Sequence, residues 1–70
     1  MGYVLKDGVA ENIREKYKTG YISTKLGLSN TYVSLILHRR RIIPKHVAYS
    51  FTKLLNSDAE INDYFKLVRK

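Results

Sequence analysis

On a helix turning about 100° per residue, Asn30, Thr31, Ser34, Leu35 and His38 fall on one side, while Val33 and Ile36 point to the other. The first set has a definite chemistry. An amide that donates and accepts, two short hydroxyls, an imidazole and a branched aliphatic match what a base-pair edge offers in the DNA major groove. Asn30 suits adenine through its donor and acceptor together, Thr31 and Ser34 are adaptable, and Leu35 suits a thymine methyl. A good base contact contributes roughly 1–3 kcal/mol of discrimination. Asn and Thr also favour the first turn of a helix without any ligand. The reading role therefore requires that this face be free.

Cations surround the same stretch. Residues 21–57 hold Lys25, Arg39, Arg40, Arg41, Lys45 and Lys53 with no Asp or Glu, so six of the seven net positive charges lie there. A basic window that overlaps a candidate reading helix points to a polyanionic partner, here double-stranded DNA. Lys18, Lys25, Tyr32, Arg39, Arg40, Arg41 and Lys45 are the candidate phosphate contacts. Such contacts set register and supply most of the affinity without reading sequence.

Other chemistries find no support. There is no Ser-His-Asp set, phosphate-binding glycine loop or pair of carboxylates placed for acid–base work. His38 and His46 are eight residues apart in a chain without cysteine, which fits no common metal site. Asp58, Glu60 and Asp63 most simply cap and solvate a helix. The expectation is a protein with no catalytic residue, no metal and no cofactor.

The elements that must position the reading face follow from apolar spacing. A first helix is expected from about Asp7 to Lys18, with Asp7 as N-cap and Val9, Ile13 and Tyr17 as its stripe. A second runs from Thr19 or Gly20 to Leu26, and a third from Asn30 to Leu37 or His38. Gly27 between them can take positive φ, and Ser29 can cap the third helix. Pro44 suits the first turn of a fourth helix, about 44–55, with Val47, Phe51 and Leu54 on one stripe. Ser57-Asp58-Ala59-Glu60 has the spacing of a capping box opening a fifth helix, about 57–69, carrying Ile61, Tyr64, Phe65 and Val68. That stripe could close the core or make a homodimer patch. No strand-like alternation stands out. Residues 1–70 read as one all-α domain of five helices, with its helix-turn-helix at 19–38. No apolar run approaches the roughly 20 residues of a membrane span, and the start, MGYVLKDG, lacks a secretory pattern. The expected location is the cytoplasm.

Ile22, Leu26, Gly27, Leu28, Ser29, Val33, Ser34 and Ile36, followed by Pro44 and an apolar helix, resemble the Cro/repressor-type, lambda repressor-like helix-turn-helix domain of temperate phages and bacterial regulators. The resemblance spans roughly residues 9 to 55. It implies a second helix over the DNA backbone, a third in the major groove, and a small switch protein acting on operator DNA as a dimer in a bacterial host. Two positions depart from the pattern: Ser23 stands where the family prefers Ala, and Arg39 where many members have Gly. A third feature widens the reading. Leu35 on the outward side, with Tyr3, Tyr21, Tyr32 and Tyr49, also suits a protein-binding face. The alternative is an antirepressor that binds the DNA-binding domain of a phage repressor.

Overall fold

The helix ends are set by a few local devices. A computed structural model describes residues 1–69: β1 (Gly2–Leu5), α1 (Asp7–Lys16), α2 (Thr19–Leu26), α3 (Asn30–Leu37), α4 (Lys45–Leu55), α5 (Ile61–Tyr64) and β2 (Phe65–Val68). Gly27 ends α2 in the left-handed region, at φ 68°. Its N–H and that of Leu28 both donate to the Ser23 carbonyl, which closes the helix as it turns. Ser29 caps α3, its hydroxyl accepting from the Tyr32 N–H at 3.1 Å. Pro44 is the N-cap of α4, and its carbonyl accepts from Val47 and Ala48. Lys6, one residue earlier than expected, is the N-cap of α1, and Asp7 lies in the first turn, where a carboxylate suits the helix dipole.

The core gathers residues from every part of the chain. Leu5, Ala10, Ile13, Ile22, Val33, Ile36, Leu37, Ile43, Ala48, Phe51 and Phe65 are buried together. Of the expected stripes, Ile13, Val33, Ile36 and Phe51 reach the core; Val9, Tyr17, Val47 and Leu54 pack against it only partly buried, and Ala10, Leu37 and Ala48 join it from beside them. Among the described residues no helix is long and apolar enough to cross a membrane.

The all-α expectation is corrected at both ends. The fold is mostly helical but carries a two-stranded antiparallel sheet, pairing Gly2 with Val68 through Leu5 with Phe65. Ile43 adds a short bridge on the other side of β1, exchanging two backbone bonds with Tyr3 at 2.8 and 2.9 Å. The GYVL run shows no alternation because both faces of β1 are covered: Val4 and Leu5 are both buried. Gly2 is required by close approach, since an added Cβ would lie 2.1 Å from Cγ2 of Ile42.

The fifth helix is likewise much shorter than 57–69. Ser57 caps nothing. Residues 57–58 form a turn in which Asp58 N–H donates to the Asn56 side chain, and Lys53 Nζ donates to the carbonyls of Ser57 and Ala59. The capping box is instead Glu60 with Asp63, and α5 lasts one turn. The chain then extends, because strand pairing satisfies the backbone of β1 and carries Phe65 into the core. There its ring meets Phe51 edge-on, with centroids 5.7 Å apart. Local helical spacing loses to this tertiary pairing.

Phe65 therefore holds the sheet to the helices. Phe65→Ala should cost about 3–5 kcal/mol, which matches the whole stability to be expected from a core this small. The expected outcome is loss of the cooperative thermal transition by circular dichroism. Leu67→Ala, at a half-exposed strand position, should leave the transition nearly in place.

Candidate functional site

α2 and α3 are joined by only three residues, and their apolar sides meet through Ile22, Val33 and Ile36, all essentially buried. The opposite side of α3 is thereby left outward. Asn30 and Thr31 are exposed, and Ser34 and Leu35 are half-buried. These four side chains line one shallow groove, whose other wall is Thr19 and Gly20 at the start of α2. Four of the five residues expected to read base edges thus come together. His38 is exposed at the C-cap of α3 and does not line the groove.

One hydrogen bond in this site links the two helices. Ser23 Oγ lies 2.6 Å from Asn30 Oδ1. Ser23 is 8% exposed, so it holds the asparagine from beneath. Sequence reading treats Ser23 only as a small residue permitting close helix approach. The available signal was a hydroxyl and an amide seven residues apart across a tight turn.

The basic residues are divided between structural and free roles. Arg39 is committed within the fold. It has φ 58°, its Nε donates to the Leu5 carbonyl at 2.8 Å, and its guanidinium lies 3.6 Å from Asp7. Arg14, absent from the expected set, donates to the Leu37 carbonyl at the end of α3. Among the described residues, Arg39–Asp7 is the one ion pair, which leaves Lys18, Lys25, Arg40, Arg41 and Lys45 without a carboxylate partner there. Lys25 lies over the Tyr21 ring, at 5.8 Å, and Arg41 over the Tyr32 ring, at 5.1 Å. Tyr32 itself is half-buried against the core. Arg40 and Arg41 line a second depression with Met1, Gly2 and Ile42. Lys45 lines a third, with Tyr3, Tyr49 and Lys53. The candidate phosphate contacts are thus spread over the surface, and none of them lines the α3 groove.

Among the described residues, no three His, Asp or Glu side chains gather where a metal could be held. No buried side-chain nitrogen or oxygen there lacks a hydrogen-bond partner. Comparison with known protein families, with curated proteins and with solved structures finds no match. The functional reading therefore stands on the residues themselves.

The sorting of the arginines can be tested without any ligand. Arg39→Ala should lower stability by about 1.5–3 kcal/mol, the usual worth of a hydrogen bond from a charged donor. It should appear as a lower urea midpoint at an unchanged slope. Arg40→Ala should leave the midpoint where it is.

Proposed function

We propose that this protein is a DNA-binding transcriptional regulator of the Cro/repressor helix-turn-helix type, acting in a phage-type genetic switch in the cytoplasm of a bacterial host. α3 enters the major groove, and Asn30, Thr31, Ser34 and Leu35 meet the base edges. The observation that carries this reading is the outward groove on α3, made of hydrogen-bonding side chains and one aliphatic, in a sequence window with six cations and no acid. The tight left-handed turn and the serine cap are the devices such a reading unit needs. Lys18, Lys25, Arg40, Arg41 and Lys45 supply the backbone contacts. Arg39 serves the fold.

A palindromic operator would be read by two copies whose spacing matches a helical turn of DNA. The homodimer belongs to this proposal, but the stripe expected to mediate it is largely used internally. Phe65 is buried, and Ile61 and Tyr64 pack on the core.

A second reading has its own support. Leu35 adds an aliphatic to the groove lining, α3 contains no Arg or Gln, and Tyr21 and Tyr49 are about half exposed. These features suit a face that binds a phage repressor protein and modulates it.

The deciding experiment titrates the protein against duplex DNA of its own promoter region, and then against the neighbouring repressor, at two salt concentrations. DNA reading predicts sequence-dependent binding whose affinity falls with salt at a log–log slope near −3 to −4 per protomer, from about four phosphate contacts at roughly −0.9 each. Arg40→Ala should reduce that slope by about one, and Asn30→Ala should blunt sequence preference. Repressor binding predicts weak, sequence-independent DNA affinity and a tight protein complex that Leu35→Ala weakens. Binding to neither partner would overturn both readings.

A further inference from the structure

Resting on the DNA reading above, we propose that Ser23 sets the base preference of Asn30, turning it from an adenine reader into a donor that selects guanine. The proton count fixes which oxygen donates. Two oxygens at 2.6 Å need a hydrogen between them, and a carboxamide oxygen has none to give. Ser23 Oγ–H must therefore donate to Asn30 Oδ1. The same hydroxyl also lies 3.0 Å from the Gly20 carbonyl, but it has one proton. The shorter contact takes it, since O–H···O bonds centre near 2.7–2.8 Å. The Gly20 carbonyl is inside the α2 ladder, where it receives the amide four residues on.

Direction follows from burial. Ser23 is nearly buried, and Asn30 is exposed. Oδ1 is thus turned back toward α2, and the Nδ2H2 end of the amide points outward. A bidentate match to adenine needs both ends of the amide facing the base, to accept from N6 and donate to N7. Ser23 takes one of the two lone pairs of that oxygen and holds it toward α2, which turns the amide away from that geometry. Two outward N–H groups instead match guanine, whose N7 and O6 are both acceptors. They oppose the adenine N6 amino group, donor against donor. They also oppose cytosine, which offers an amino donor. Guanine is usually gripped by arginine, which α3 lacks. Ser23 is then a positioning residue: it touches no base and acts through Asn30.

The test selects bound sequences from a randomised duplex library with the wild-type protein, Ser23→Ala and Asn30→Ala. Asn30→Ala identifies the base pair that depends on this side chain. At that pair the wild type should prefer guanine over adenine by about tenfold, one 1.4 kcal/mol step. Ser23→Ala should erase or invert the preference while leaving the salt slope unchanged. The replacement is small and favours helix, so the fold should persist, and circular dichroism checks this. In the free protein, the Asn30 side-chain amide should be rigid by 15N relaxation in the wild type and mobile in Ser23→Ala.

Adenine preferred by the wild type, with Ser23→Ala unchanged, would overturn this inference and leave DNA reading intact. An Asn30 amide equally mobile in both proteins would also overturn it. No base preference in any of the three proteins would overturn the DNA reading and this inference with it. The relaxation comparison would still report whether the Ser23–Asn30 bond exists.

Discussion

For α2 and α3 to share one apolar seam, the chain must reverse within three residues, and it does so with Gly27 at φ 68°. A side chain at that φ would cost of order 1–2 kcal/mol, a large share of what so small a domain can spare. The turn makes both amides that follow the helix donate to one carbonyl, that of Ser23, and so fixes the direction in which α3 leaves. With that direction set, Ile22, Val33 and Ile36 have only one way to be buried together. Asn30, Thr31, Ser34 and Leu35 have to face out. The outward groove is thus a consequence of core packing on the other side of the same helix.

α3 is also tied at its far end. Arg14 caps the Leu37 carbonyl, and Arg39 reaches back to the Leu5 carbonyl. Arg39 adopts the left-handed conformation that favours glycine. Its side-chain bonds to β1 and α1 offset that strain in a way glycine could not. Ser29 holds the opposite end. A helix anchored at both ends has little further entropy to lose on docking, which is the physical content of preorganisation.

A chain of 70 residues buries too little surface for its helices alone to be secure. Here the two ends of the chain meet as β1 and β2 and draw Phe65 onto Phe51. Without β2, one edge of β1 would lack its ladder partners, and Phe51 would lose a buried neighbour. The sheet therefore completes the core under the helices and supplies the Leu5 carbonyl that Arg39 uses.

The residues by themselves determined most of the helical layout. Apolar spacing, Gly27, Ser29 and Pro44 are local signals, each acting within one or two turns, so α1 to α4 and the outward side of α3 were legible. So was the basic window, since charge is additive along a chain. The tertiary structure alone decided the rest. GYVL and FKLV become strands because each is the other's partner, and pairing between the two ends of the described chain, from Gly2 with Val68 to Leu5 with Phe65, leaves no local trace. Arg39 leaves the set of free cations because a carbonyl of β1 and a carboxylate of α1 lie within reach. Ser23 becomes part of the site because a turn folds it beneath Asn30. Hydrogen bonds of a few ångströms between distant residues depend on where the backbone passes, and that is a property of the whole packed chain.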